Sequence, residues 1–384
     1  MPSKRPAPAA RRRSGAADSA ADRASAILEI DLQAIQKNWR LIQAKVGKAV
    51  QCAAVVKADG YGLGAAPVAK ALAAAGCKTF FVATLDEGLA LRETQKSAEI
   101  AVLNGLLPRT EADFLRAKLI PVLNDLGQLD IWRKLTLPMK ARPPAILHLD
   151  TGMSRLGLSR VEVQVLLGEP DRLAGVALRA IVSHLACADE PKHAKNAEQR
   201  RVFLAARRKL PPVPASLAAS AGIFLGADYH FDMVRPGAAL YGLNPLPGHP
   251  NPMTQTIHLK GRIVQVHDVD RAETVGYGAR HRMDRGGRVA TVAVGYADGW
   301  LRSSGPNATA GIAGRQVPII GRISMDLMTL DVTGLDPARV HAGAFVDLID
   351  GTNTADIVGE HAGTIGYEVL TTLGRRYHRV YLGA

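Results

Sequence analysis

The sequence is poor in cysteine and in aromatic residues, and it has no long apolar run. Its 384 residues include three cysteines and 5% aromatic residues. Cys52, Cys77 and Cys187 are odd in number and lack Cys-x-x-Cys spacing, which argues against a disulfide framework and against a metal site of the zinc type. No segment approaches the roughly 18 apolar residues that a membrane span needs, so we predict no membrane partner.

The net charge of +13 raises the question of nucleic-acid binding, because clustered Lys and Arg neutralise phosphates. Residues 1–25 hold six basic and two acidic residues, so part of this charge is local. No interleaved aromatic pattern or helix-turn-helix spacing follows, and we predict no nucleic-acid partner. The segment 1–25 reads as a disordered basic tail without an apolar signal-peptide stretch, which predicts a cytoplasmic protein.

Residues 26–252 alternate short apolar runs with segments of helical spacing. Eight strands separated by helices predict an α/β fold, and the count favours a TIM-like (β/α)8 barrel over an open doubly wound sheet, which stays the alternative. The candidate strands are residues 51–58, 79–84, 99–105, 120–125, 144–152, 177–185, 214–220 and 231–237.

The pattern of apolar and polar residues changes after the Pro-rich linker PLPGHPNPM. Residues 253–384 alternate apolar with polar residues between Gly, Pro and Asp turns, which predicts a mostly antiparallel β domain. The stretch TIGYEVLTTLGRRYH near the end is predicted to form one closing helix.

Polar or ionisable residues follow several of the barrel strands. In a parallel barrel the reactive groups gather at the carboxyl ends of the strands. Each residue alone has an ordinary explanation, such as a solvated lysine or a hydrogen-bonded core histidine, but together they would lie on one rim. They are Lys57, Asp150 with Arg155, His184, Ser220 and Arg235.

Lys57 ends an apolar strand and is followed by Gly60, Gly62 and Gly64. Burial would lower its pKa below the usual value of about 10.4, and the neutral amine is a nucleophile for carbonyls. Glycines let a backbone approach a phosphate closely. Pyridoxal 5'-phosphate offers both an aldehyde and a phosphate, and Arg235 is a candidate partner for its ring nitrogen.

The motifs AVVKADGYGLG, DTGMSRLG, Ser183-His184 and RPGAALYG, with VGYGAR, VGYADG, GRISMD and TIGYE, resemble those of the alanine racemase family. They cover nearly all of the chain from Ile27 onward. The resemblance implies a pyridoxal-phosphate isomerase, with a barrel followed by a β domain, that interconverts L-alanine and D-alanine. It would supply D-alanine for peptidoglycan or serve catabolism, as a homodimer with shared active sites.

The resemblance also implies roles for individual residues. Lys57 would bind the cofactor and act as base on one face of the substrate Cα, and Tyr277 of the other subunit would act on the opposite face. Arg155 and the backbone N–H of Met325 would bind the substrate carboxylate. Tyr61, Ser220, Gly237, Ala238 and Tyr367 would surround the phosphate, His184 would lie against the pyridine ring, and Arg235 would contact its nitrogen.

A narrow polar entrance suited to alanine is implied at Tyr296, Arg302, Arg322 and Asp326. The ordinary interpretation of Arg302, Arg322 and Asp326 is that they are exposed loop charges. Other functions remain open: a broader Ala/Ser racemase, a decarboxylase of basic amino acids, a cofactor-binding protein without catalysis, and an anionic-surface binder acting through the tail.

Two positions depart from the family pattern. His148 stands where the family commonly has a carbamylated lysine that orients the substrate arginine, and Ala219 stands where it often has Asn. Arg155 would then be oriented by a bound anion, a nearby carboxylate or His148 itself. We interpret His148 as a supporting hydrogen bonder.

Overall fold

The computed structural model describes residues 20–305 and 307–383. The chain begins with a one-turn helix α1 (Ala20–Arg23), a strand β1 (Ala26–Asp31) and a long helix α2 (Leu32–Val46). Asp31 caps α2, because its side chain accepts a hydrogen bond from the Ala34 N–H at 2.9 Å. Gly47, with φ of 81°, ends the helix.

Parallel strands then follow one another around the first sheet. The strands are β2 (Gln51–Cys52), β3 (Ala54–Val55), β4 (Thr79–Val82), β5 (Glu99–Val102), β6 (Ile120–Leu123), β7 (Pro144–His148), β8 (Ala177–Val182), β9 (Ala215–Ser216) and β10 (Met233–Val234). β3 pairs with β4, and each later strand pairs with the next in chain order up to β9.

The eighth strand closes this sheet into a ring. β10 pairs in parallel with β2, which continues into β3 after one residue. On its other side, the Asp232 N–H donates to the Ala215 carbonyl at 3.0 Å and the Arg235 N–H donates to the Ala218 carbonyl at 3.0 Å. The predicted eight-stranded barrel is therefore confirmed, and the open sheet is excluded.

Helices cross between the strands as a parallel barrel requires. Asp125 caps α7 and Ser159 caps α8, each through a side chain that accepts a backbone N–H of the first turn. The helices are α3 (Lys57–Tyr61), α4 (Ala65–Ala75), α5 (Leu85–Thr94), α6 (Glu111–Arg116), α7 (Leu126–Thr136), α8 (Arg160–Gly168) and α9 (Ala194–Arg207).

The remainder of the chain forms the second, largely antiparallel sheet. Its strand order is β14-β17-β16-β15-β18-β11-β1-β19, and β14 also pairs with β11, so six strands close a small barrel. The elements are β11 (Ile257–Val269), β12 (Glu273–Val275), β13 (His281–Met283), β14 (Gly287–Val292), β15 (Thr309–Ile312), β16 (Arg315–Ile320), β17 (Met328–Asp331), β18 (Phe345–Ile349), α10 (Ala355–Ala362), α11 (Gly366–Thr372) and β19 (His378–Leu382).

Two features differ from the simplest sequence interpretation. The predicted closing helix is wrong beyond Thr372, because the chain turns at Gly374 and continues as β19. β1 lies in the second sheet, antiparallel to β11 and parallel to β19. The division of the chain into segments 1–25, 26–252 and 253–384 stays a prediction.

The N-terminal segment is tied to the second sheet by Arg262. Its guanidinium donates to the carbonyls of Ala21, Asp22 and Ala24 at 2.9–3.3 Å, and it lies 4.3 Å from the ring centre of Phe345. Residues 20–23 form α1, while residues 1–19, most of the predicted disordered tail, lie outside the described part of the chain. Within residues 20–305 and 307–383, no helix combines the length and apolarity of a membrane span.

We expect Arg262→Ala to lower the free energy of unfolding by about 1–3 kcal/mol, because three main-chain carbonyls lose a charged donor. Thermal unfolding would measure this loss against Arg271→Ala, which removes an exposed arginine. Equal midpoints for the two variants would contradict the role of Arg262.

Candidate active site

Lys57 lies immediately beyond β3 at the barrel mouth. Its pKa is lowered by burial and by the nearby charge of Arg155, while the carboxylate of Glu87 raises it in part. The four residues that follow have left-handed backbone angles, with φ of 54°, 51°, 63° and 54° at Ala58, Asp59, Gly60 and Tyr61. Lys57 is therefore a partly desolvated amine on a sharply turned backbone.

Tyr61, Ser220 and Gly237 lie together beside this turn. The Ser220 hydroxyl oxygen accepts the N–H groups of Gly237 at 3.0 Å and Ala239 at 3.2 Å, which leaves its hydrogen available to an anion. A Cβ at Gly237 would collide with the Tyr61 hydroxyl, so only glycine fits there. Burial raises the pKa of the Tyr61 hydroxyl, against an opposing effect of the Ala238 N–H, and this keeps the phenol protonated.

Aromatic packing fixes the Tyr61 ring. It stacks on Tyr241 with ring centres 4.5 Å apart, and the Tyr367 ring of α11 lies 6.2 Å away. The Tyr241 hydroxyl donates to the Val55 carbonyl at 3.1 Å. Hydroxyl groups from the barrel and from α11 thus approach the same rim.

Arg235 is a buried cation at the end of β10. Its guanidinium donates to the Ser216 hydroxyl and to the Ser183 carbonyl, the latter at 2.6 Å. Burial lowers the pKa of Arg235 to about 10, so the side chain stays charged at neutral pH. Because a guanidinium has five N–H donors, these two bonds leave others for a ligand.

Two histidines of the rim are neutral. Burial and the charges of Arg235 and Arg155 lower the pKa of His184 to about 3. Burial and Arg235 lower the pKa of His148 to about 4, against an opposing effect of Asp150.

The tautomer of His148 follows from Asn124. Its amide nitrogen donates to the carbonyls of Leu103 and Val122 at 3.0 Å, which uses both N–H bonds and fixes the amide orientation. The Asn124 Oδ1 therefore faces His148 Nδ1 at 2.7 Å as an acceptor. His148 must carry its proton on Nδ1, and its Nε2 presents a lone pair.

Asp150 shapes the loop that carries Arg155. Burial opposes ionisation, but bonds from the N–H groups of Gly152, Met153 and Ser154 lower the pKa of Asp150. Its Oδ1 accepts these three N–H groups at 2.8–3.1 Å. The Arg155 side chain is exposed and lines a small cavity with His148, Ser183 and His184.

A groove lined by Arg207, Pro214 and Asp232 among others lies where β9 and β10 begin, at the opposite end of the barrel. Its lining includes none of the predicted site residues.

Two predicted residues of the second domain, Tyr277 and Met325, are exposed in the single chain. Tyr277 is 72% exposed and Met325 is 54% exposed. The charged groups that shift the pKa of Lys57 are Arg155 and Glu87, both of the barrel. Tyr277 starts a short turn between β12 and β13, and a Cβ at Gly278 would lie 3.2 Å from the Arg322 guanidinium.

The predicted entrance residues lie on loops that support each other. The Tyr296 N–H donates to the Ser324 carbonyl at 3.1 Å, and the Ala297 N–H donates to the Met325 carbonyl at 2.9 Å. Asp326 pairs with Arg376 at 2.8 Å, and Arg376 also contacts buried Asp298 at 3.2 Å. Arg302 and Arg322 are exposed.

Sequence patterns alone missed three contributors to this site. Glu87 follows the N-cap Thr84 by three positions in the first turn of α5, which indicates a capping box but not a contact with the Ala58 N–H beside Lys57. Asn124 ends β6 and could have been found as another polar strand end. Nothing local distinguishes Arg376 from neighbouring surface arginines.

Comparison with known families gives a match over nearly the whole described chain. The family model for the alanine racemase N-terminal domain matches residues 30–245, and the model for the C-terminal domain matches residues 256–381. A Mesorhizobium japonicum protein named "Alanine racemase, catabolic" is 47% identical over 94% of both chains. A Rhodospirillum rubrum alanine racemase is 47% identical over 94% of this chain and 97% of its own.

Solved structures agree with this match. The alanine racemase from Bartonella henselae, with covalently bound pyridoxal phosphate, superposes with a TM-score of 0.90 at 39% identity. The superposition covers 94% of this chain and all of the Bartonella chain. The alanine racemase from Streptomyces coelicolor A3(2) superposes with a TM-score of 0.88 at 29% identity, over 95% of this chain and all of its own.

The neutral state of His148 predicts a defined acid sensitivity. Its folded pKa of about 4 lies below the unfolded value of about 6.5, so the unfolded state binds the extra proton between these values. Stability should fall as pH drops through this window. We expect His148→Gln to reduce the loss of unfolding free energy between pH 7 and pH 5 by roughly 1–2 kcal/mol.

Urea unfolding at both pH values would measure the change. His249→Gln, at an exposed histidine, is the matched control and should keep the wild-type loss. An unchanged loss in His148→Gln would contradict a neutral buried imidazole.

Proposed function

The chain belongs to the alanine racemase family, and we propose that its barrel mouth binds pyridoxal 5'-phosphate and interconverts L-alanine and D-alanine. The observation that carries the proposal is the position of Lys57. Its pKa is lowered, and it shares the rim with Arg155, His184 and Arg235.

The residues of the rim fit the cofactor. Ser220 offers a hydroxyl hydrogen, Tyr61 is a protonated phenol, and glycine at 237 leaves room that a side chain would fill. These groups, with the main chain of Ala238 and with Tyr367, would hold the phosphate. Neutral His184 would lie against the ring, and Arg235 would donate to its nitrogen.

When bound, pyridoxal phosphate joins an amine through its aldehyde and stabilises the negative charge left when the Cα proton is removed. Lys57 provides the amine, and its lowered pKa favours the neutral form that can act as a base. The Arg155 guanidinium and the Met325 N–H hold the substrate carboxylate. Racemisation then needs a second base on the opposite face of Cα, and we assign it to Tyr277 of the partner subunit.

Arg235 restrains the reaction to proton exchange. A guanidinium with a pKa of about 10 donates a hydrogen bond at neutral pH but does not give up its proton. Arg235 would therefore leave the ring nitrogen of the cofactor unprotonated, which would weaken its withdrawal of electrons and disfavour side reactions such as transamination. The charge of Arg235 also contributes to the neutral state of His184.

We propose that His148 orients Arg155 as a neutral acceptor. Asn124 fixes the proton of His148 on Nδ1, and the remaining lone pair on Nε2 can accept a guanidinium N–H. Both side chains line the same small cavity. This arrangement would replace the carbamylated lysine of the family pattern.

We further propose a cytoplasmic homodimer with shared sites. Tyr277, Met325, Tyr296 and Tyr367 are all more than a third exposed in the single chain, as expected of residues that a second copy covers. Cys52, Cys77 and Cys187 are free thiols, which supports a reducing compartment.

The direct test of the proposed function is turnover of purified protein with L-alanine, followed as D-alanine, together with visible absorbance of the bound cofactor. We expect Lys57→Ala to lose both. We expect Tyr277→Phe to keep the absorbance and to lose about 10²–10⁴-fold in turnover, because one proton-transfer group is removed. A Lys57→Ala protein that keeps both signals would contradict the assignment.

Mixing the two inactive variants tests the shared site. A dimer with one Lys57→Ala subunit and one Tyr277→Phe subunit has one site with both substitutions and one site with neither. We therefore expect turnover to return after dissociation and reassociation of the mixture. Each variant treated alone is the control, and a mixture that stays inactive despite exchange of subunits would count against a site built from two chains.

A further inference from the structure

The turn after Lys57 is held in a backbone conformation that L-residues seldom adopt in succession. Ala58, Asp59 and Tyr61 have φ between 51° and 54°, and Gly60 lies between them at 63°. Only glycine enters this region without steric cost, and other residues enter it singly. A run of this length must be stabilised by contacts from outside the turn.

The turn satisfies its later N–H groups within itself and its neighbours. The Gly60 N–H donates to the Val56 carbonyl at 2.9 Å, and the Gly62 N–H donates to the Ala58 carbonyl at 2.7 Å. Asp59 accepts the Ala65 N–H at 2.8 Å. The peptide N–H directly after Lys57, that of Ala58, has a different partner.

Glu87 supplies that partner from the next βα unit. Its Oε1 accepts the Ala58 N–H at 2.7 Å. Its Oε2 accepts the Ala83 N–H at 2.7 Å and the Thr84 N–H at 3.4 Å. One carboxylate therefore connects the Lys57 turn to the loop that follows β4, and the first turn of α5 keeps it in place.

We propose that Glu87 is a positioning residue whose carboxylate holds the left-handed turn and thereby fixes the Lys57 amine in the barrel mouth. The inference about the reaction rests on the proposed function, in which Lys57 is the cofactor-binding amine. The contact itself belongs to the chain and does not depend on the cofactor.

Glu87 also acts on Lys57 through its charge. Burial and Arg155 lower the pKa of Lys57, and Glu87 opposes both effects. His184, which lies close enough to Lys57 to be affected by its charge, is itself neutral at neutral pH. Loss of the Glu87 charge should therefore let Lys57 lose its proton at a lower pH.

Glu87→Gln separates the two oxygens of this contact. The amide of glutamine has one acceptor oxygen, which can accept either the Ala58 N–H or the N–H groups of Ala83 and Thr84. Its NH₂ group would then face the N–H that has lost its acceptor. We expect the Ala58 amide to exchange with deuterium about tenfold faster or more, because a charged acceptor is lost. Exchange is measured by mass spectrometry on a peptide that contains Ala58, with the cofactor bound and after its removal.

Thr84→Ala is the matched control. The Thr84 hydroxyl accepts the Glu87 N–H at 3.3 Å and caps the same helix, but it makes no contact with the Lys57 turn. Its removal should weaken the start of α5 and leave exchange at Ala58 within about twofold of wild type, since the Glu87 carboxylate remains.

A second readout uses pyridoxal 5'-phosphate as the probe. The rate at which cofactor-free protein gains visible absorbance is measured against pH, and its midpoint reports the ionisation of Lys57. We expect the midpoint of Glu87→Gln to move to lower pH and that of Thr84→Ala to stay unchanged. A purely structural role would lower the rate at every pH without moving the midpoint.

Unchanged exchange at Ala58 in Glu87→Gln, or equal effects in Thr84→Ala, would overturn the proposal. Failure of the wild-type protein to bind the cofactor would instead contradict the proposed function, while the exchange contrast between variants would still decide the role of Glu87.

Discussion

The left-handed turn after Lys57 is the constraint on which the active site depends. Each non-glycine residue in this conformation costs about 1–2 kcal/mol, so the turn persists only because other parts of the molecule hold it. Glu87 holds its start. Its exit is held from the second sheet, where Arg379 donates to the Gly62 carbonyl and the Tyr381 hydroxyl donates to the Leu63 carbonyl, at 2.6 and 3.0 Å.

These two contacts connect the second sheet to the segment that follows the Lys57 turn. Arg379 and Tyr381 lie on β19, which pairs with β1, and β1 pairs with the central strand β11. Gly62 cannot be replaced without a collision, because an added Cβ would meet the Leu370 carbonyl of α11. The last strand of the chain is therefore part of the support for a lysine more than 300 residues earlier.

The charges of the rim favour an anionic ligand. Lys57, Arg155 and Arg235 approach one another, while His148 and His184 stay neutral. The carboxylates nearby, Asp150 and Glu87, are already engaged with backbone N–H groups. A phosphate and a substrate carboxylate would supply further negative charge next to these cations.

The order of the barrel strands and the polar residues at their ends could be predicted from the sequence, because both are local patterns in short apolar runs. The sequence could not show that β1 joins the second sheet, since strand pairing across more than 200 residues leaves no local mark. For the same reason, the contacts of Glu87 and Asn124 could not be predicted from the sequence. Each works through a main-chain or side-chain contact between neighbouring βα units, and the capping pattern of Glu87 describes only its own helix.

The exposed residues of the second domain complete the argument for a site made from two chains. In the proposed function, the rim of the barrel would provide the amine, the arginine that binds the carboxylate and the cofactor contacts. Tyr277 is 72% exposed on a short turn of the second domain. Because inversion at Cα requires proton transfer on both faces, a phenol from a second copy would supply the second proton-transfer group. In the proposed dimer, subunit association is therefore a condition of the chemistry.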